Sequence, residues 1–220
     1  MAVRRPTKHE EIVLSRNRLF LLVLLFPALA LAGTCGGTDA RTQLEHFAEG
    51  LESLSGEFRQ VITDQDGFIL EESSGSMKFL APDRFRWDYV EPFPQQLVAD
   101  GERLWHFDEA LDQVTVRDQP EAAESPLLVL TRPELLDRFY RLEPSDETDR
   151  LVFSPLEPDG DFERATLQFR DGVPAALELI DRLVGQTTLL ELIDLQRNPG
   201  LSDDDFYFEP PPGVDILEGY

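Results

Sequence analysis

The chain has 220 residues, 43 Asp and Glu against 20 Lys and Arg, a net charge of −23 at pH 7 and one cysteine. Such acidity excludes nucleic acid as a partner and disfavours anionic headgroup surfaces, because both carry the same sign. A single thiol excludes an internal disulfide, so the fold relies on its apolar core.

The N-terminus reads as an export signal. Arg4, Arg5, Lys8, Arg16 and Arg18 precede the apolar run Leu19 to Leu31, which ends in Ala28-Leu29-Ala30-Leu31-Ala32. A basic region, a short apolar region and a small-residue cleavage site predict a signal peptide over residues 1–32, cut after Ala32. The run is shorter than the roughly 20 apolar residues of a membrane span. Residues 33–220 are then read as one domain. Removing five basic and two acidic leader residues takes its charge from −23 to −26. Lipoprotein leaders place a small residue directly before an acylated cysteine. Here Thr34 separates Gly33 from Cys35, so Cys35 is read as a free thiol in a loose tail.

The mature chain opens with a helix. Thr38 or Asp39 can cap it, and Leu44, Phe47, Leu51 and Leu54 form one apolar stripe that Ser55-Gly56 stops. Strand patterns follow at Phe58 to Ile62 and Phe68 to Leu70, joined by a hairpin at Asp66-Gly67. The chain crosses Gly75, runs through Met77 to Leu80 and breaks at Ala81-Pro82. In Arg84 to Tyr89, Phe85, Trp87 and Tyr89 alternate with Arg84, Arg86 and Asp88, giving one aromatic and one charged face. Such a face needs an apolar cover. Further strands are predicted at Gln96 to Ala99, Leu104 to Phe107 and Leu111 to Val116.

An acidic loop from Asp118 to Ser125 leads to the apolar run Leu127-Leu128-Val129-Leu130. Thr131-Arg132-Pro133-Glu134 has the form of a capping box opening a helix through Leu135, Leu136 and Phe139. Strands resume at Leu151 to Phe153, Ala165 to Phe169, Ala176 to Ile180 and Gln186 to Leu195. A last short strand lies within Leu201 to Phe208, before Pro210-Pro211-Pro212-Gly213 ends the domain. The fold class is mainly β with short helices, a largely antiparallel meander in one domain. Nothing in the sequence points to catalysis or a metal: no nucleophile elbow, phosphate loop or dinucleotide fingerprint occurs, and no His, Cys or Asp cluster has ligand spacing. His106 reads as a solvent-facing strand residue, opposite Trp105 and Phe107.

The ordered set Gly56-x-Phe58-x-Gln60, Gly75, Pro82-x-x-Phe85-x-Trp87, Pro92, Asp100-Gly101-x-x-Leu104-Trp105, Asp108, Gln113, Gly185-Gln186, Asn198 and Phe206-x-Phe208-x-Pro210-Pro211-x-Gly213-Val214-Asp215 resembles the outer-membrane lipoprotein carrier family, LolA. The match spans about residues 40–217, nearly the whole mature chain. The resemblance implies a periplasmic monomer built as an incomplete, half-open antiparallel β-barrel with an α-helical lid over an apolar cavity. It also implies a non-enzymatic role without cofactor. Acylated lipoproteins would arrive from an inner-membrane ABC transporter (LolCDE-type) and leave to an outer-membrane LolB-type receptor.

By resemblance, cavity and lid map onto Phe47, Leu51, Leu54 and Phe58, onto Phe85 and Trp87, and onto Leu127, Leu128, Val129 and Leu130. One position departs from the pattern. Such carriers place arginine directly before the proline that opens the aromatic strand, where it hydrogen-bonds the lid. This chain has Ala81 there, so the resemblance supplies no latch. Two alternatives share the fold: a lipid-anchored LolB-like receptor, which acylation at Cys35 would mark, and a periplasmic lipid-binding sensor.

Overall fold

The computed structural model describes residues 39–119, 126–157 and 162–219. The predicted signal peptide over residues 1–32, Cys35, Thr38 and residues 120–125 of the expected acidic loop lie outside the described residues.

Helix α1 (Ala40–Ala48) is capped by Asp39, whose side chain accepts from the Thr42 N–H at 2.9 Å. It buries Ala40, Leu44 and Phe47, spaced four and three apart. The expected stripe does not continue as helix. Gly50, at φ +66°, turns the chain, and Leu54 already belongs to strand β1 (Ser53–Thr63), so its helical spacing from Leu51 is coincidental. Ser55-Gly56 lies inside that strand, at a bulge against its neighbour.

The strands that follow are β2 (Ile69–Leu80), β3 (Arg84–Glu91), β4 (Gln95–Ala99), β5 (Arg103–Asp108) and β6 (Gln113–Asp118). After a 3₁₀ turn (Pro126–Leu130) and helix α2 (Glu134–Phe139) come β7 (Tyr140–Glu143), β8 (Arg150–Pro155), β9 (Phe162–Arg170), β10 (Val173–Asp181) and β11 (Thr187–Arg197). A 3₁₀ turn (Asp203–Phe206) then precedes β12 (Asp215–Glu218). All twelve strands form one sheet, ordered β12-β6-β5-β4-β3-β2-β1-β11-β10-β9-β8-β7. It is an open sheet with edges at β12 and β7, not a closed barrel. Two antiparallel meanders, β1 to β6 and β7 to β11, are fused through the β1–β11 pair. The 3₁₀ turn and α2 form part of the link between the meanders. With α1 they pack into one core with Leu54, Phe58, Phe79, Phe153, Leu167 and Leu177, so the helices cover one face of the sheet.

Local chemistry sets the corners. The Asp66-Gly67 hairpin forms as expected, with Gly67 at φ +83° and the Asp64 carboxylate accepting from the Asp66 and Phe68 N–H groups. Asp171 and Gly172 both have positive φ, the requirement of a tight type I′ hairpin. Asn198 accepts from the Glu52 and Ser53 N–H groups and donates to Gly50 O, tying the end of β11 to the link between α1 and β1.

Three further expectations are corrected. No capping box forms at α2: Pro133 is the N-cap, and the Thr131 hydroxyl donates back to Leu128 O. Leu111 lies in a turn, largely exposed, and β6 starts at Gln113. The segment Leu201 to Phe208 is no strand. Its 3₁₀ turn buries Phe206, and Phe208 packs on Trp105 at 5.7 Å and Phe107 at 6.1 Å, covering the opposite face of β5. The chain then continues past its prolines to add β12 parallel to β6. A parallel edge strand of four residues has too little apolar pattern to stand out in sequence.

Candidate functional site

The register of the first meander builds a wall. Leu54, Phe79, Phe85, Ala99, Leu104 and Arg117 are successive cross-strand partners from β1 to β6, so they share one face. The next row is Gly56, Met77, Trp87, Leu97, His106 and Thr115, and the third is Phe58, Gly75, Tyr89, Gln95, Asp108 and Gln113. Each row is apolar near β1 and polar towards β6. Phe58 meets Trp87 and Tyr89 edge-on, with ring centroids at 4.7 and 5.0 Å. Gly75 makes room for this cluster: a Cβ there would lie 1.9 Å from Asp88 O and 3.0 Å from the Phe58 ring. Burial first, then Glu71, raises the Tyr89 phenol above its usual range, so it stays neutral.

Between this wall and the helical elements lies a cavity of about 650 Å³. Its walls include Leu54, Met77, Phe79, Phe85, Trp87, Tyr89, Leu97 and Leu104 from the sheet, Leu190 from β11, and Leu127, Leu128, Leu130, Leu135 and Phe139 from the helical side. Of the ten residues expected at cavity and lid, six line it: Leu54, Phe85, Trp87, Leu127, Leu128 and Leu130. Phe47, Leu51, Phe58 and Val129 are buried in the core behind the lining. Met77, Phe79 and Tyr89 carried a usable period-2 signal, whereas Leu135, Phe139, Leu97 and Leu190 reach the cavity only through tertiary packing. Polar groups also enter the wall. Gln60 lines the cavity opposite Ser73, whose buried hydroxyl has no hydrogen-bond partner among the described residues.

The charged face of β3 has a different task. Arg84 donates to Asp100 O at 2.8 Å and pairs with Asp203 at 2.9 Å, while Lys78 on β2 pairs with Asp205 at 2.8 Å. These outward cations hold the C-terminal 3₁₀ turn against the back of the sheet. Asp100 organises the next corner, accepting from the Glu102 and Arg103 N–H groups and from Trp105 Nε1. His106 is exposed, with Nε2 3.1 Å from Gln95 Oε1.

On the covering side, Arg41 of α1 grips Asp137 of α2 with two bonds of 2.7 and 2.6 Å and also reaches Glu45 at 3.0 Å. Ala81 makes no comparable link; its N–H donates to Glu52 O at 2.9 Å.

The model of the family described as "Outer membrane lipoprotein carrier protein LolA" matches residues 49–209. The chain belongs to the LolA family. It is 44% identical over 181 residues to an outer-membrane lipoprotein carrier protein of Alkalilimnicola ehrlichii, covering 81% of this chain and 83% of that one. It is 40% identical over 195 residues to one from Halorhodospira halophila, covering 89% and 93%. Among solved structures, an uncharacterized conserved protein from Thermus thermophilus shares the fold at TM-score 0.50 and 12% identity, over 80% of this chain and 98% of that one. The LolA match takes in the whole first meander and therefore every sheet residue of the cavity wall from β1 to β6.

Proposed function

We propose that this chain is a periplasmic lipoprotein carrier that shields the acyl chains of its cargo in the cavity between β1–β5 and the helical elements. Membership of the LolA family and 40–44% identity to named carrier proteins support the class of function. The single structural observation that carries the reading is the cavity of about 650 Å³ walled by cross-strand rows of Leu, Met, Phe and Trp. Each buried methylene is worth about 0.8 kcal/mol, so exposing a triacylated anchor to water costs tens of kcal/mol. An apolar cavity under separable helices meets that demand, and α1, the 3₁₀ turn Pro126–Leu130 and α2 act as the lid. Cargo arrives from an inner-membrane ABC transporter of the LolCDE type and passes to a LolB-type receptor, down a gradient of affinity, with the carrier monomeric and without catalytic chemistry.

The test is release of a lipoprotein from energised inner-membrane preparations in the presence of the purified mature protein. A soluble lipoprotein–carrier complex is expected. With Phe85→Glu, which places a charge in the middle of the apolar wall, the circular dichroism spectrum persists and the complex does not form. Absence of any soluble complex with wild type, or wild-type transfer by Phe85→Glu, contradicts the reading.

A further inference from the structure

The polar part of the cavity lining carries an unexplained feature. In a chain where acidic residues outnumber basic ones 43 to 20, the lining holds three arginines, Arg117, Arg132 and Arg138, against two carboxylates, Asp83 and Glu102, once the outward-facing Lys78 is set aside. One of the three is already committed, Arg132 to Glu134 at 3.2 Å. Arg117 and Arg138 have no carboxylate partner among the described residues; Arg138 stacks its guanidinium 4.8 Å from the centre of the Phe139 ring. Arg117 ends the row Phe79, Phe85, Ala99, Leu104 by direct cross-strand pairing with Leu104. Four strand spacings separate Phe79 from Arg117, about 19 Å along a row that is apolar as far as Leu104 and finishes in the exposed positive charge of Arg117.

The geometry points to a second ligand class for this cavity: a free amphiphile with one long acyl chain and an anionic head, carboxylate or phosphate, seated with its head at Arg117 and Arg138. This rests on the cavity taking acyl chains, as proposed above, and adds a head-group preference that a neutral lipid anchor does not require. A guanidinium presents several donors in a fixed fork and suits either oxyanion. The field of a strongly acidic protein opposes anion entry from solution, so any preference for an anion must come from the local arginines.

The preference is read by titrating the purified mature protein with oleate and with methyl oleate, which share a chain and differ in head charge, following fluorescence of Trp87 in the wall. A second pair, lysophosphatidic acid and monooleoylglycerol, separates phosphate from carboxylate recognition. Wild type is expected to bind the anion of at least one pair about tenfold more tightly than its neutral counterpart, as one charge-assisted hydrogen bond predicts. In Arg117→Gln/Arg138→Gln that ratio falls towards one. Equal affinities within both pairs for wild type, or a ratio retained in the double variant, overturns the inference. Failure of lipoprotein release alongside a retained anion preference removes only the carrier reading, and failure of every amphiphile to bind while lipoprotein release proceeds removes only this inference.

Discussion

Gly75 shows how one residue sets the shape of the wall. Any side chain there meets the backbone of β3 at Asp88 O, 1.9 Å from an ideal Cβ, and a backbone atom has no rotamer by which to withdraw. Gly75→Ala is expected to lower stability by about 1–3 kcal/mol, the usual range for overpacking, and to shift the edge-on contact of Phe58 with Tyr89. Chemical denaturation checks it; an unchanged midpoint contradicts the packing argument. Asp100 illustrates a polar counterpart. Burial pushes its carboxyl up, but hydrogen bonds from Arg103, Trp105 and Glu102 together outweigh that and hold it below 3.8. A depressed folded-state pKa gives stability that is present above the unfolded value and is lost as pH falls through the folded one. The stability gap between wild type and Asp100→Asn is therefore expected to be largest near neutrality and to shrink below about pH 3.8, in denaturation curves across pH. A gap independent of pH would sink this account.

At the scale of elements, the covering helices are short and lean on each other. The six-residue α2 is below the length at which an isolated helix is stable, so packing of Leu135 and Leu136 and its tie to α1 keep it formed. That tie is the two-bond Arg41–Asp137 pair, which holds the Asp137 carboxyl below its usual range. Arg41→Ala is expected to speed amide exchange throughout α2 while changing global stability by less than about 1 kcal/mol, because the pair is exposed. Unaltered exchange in α2 would show that apolar packing alone holds it. The pair was not foreseeable: Arg41 and Asp137 are 96 positions apart, and charged residues are too common in this chain for any two to stand out. The aromatic alternation of β3 was legible because a strand has period 2 whatever surrounds it. The helical stripe through Leu51 and Leu54 misled because spacings of three and four also occur by chance across a turn.

The whole molecule is a polyanion folded around an apolar cavity. Self-repulsion at −23 destabilises the compact state, and salt at about 0.15 M screens it beyond roughly 8 Å. The melting temperature is expected to rise between about 10 and 200 mM NaCl as that repulsion is screened; a fall would mean that attractive pairs such as Arg59 with Glu72 and Glu191 outweigh the repulsion. Sequence alone determined the mainly β class, most strand positions, the Asp66-Gly67 corner and the family, since these rest on local period, turn chemistry and ordered motifs. The tertiary structure decided that the sheet is open, that β12 joins it in parallel, and which apolar residues line the cavity rather than back it. Those outcomes depend on pairings between distant segments, such as β1 with β11 and β6 with β12, and no local pattern specifies a partner. The pairing of β5 with β6 places Arg117 opposite Leu104, at the end of an apolar row.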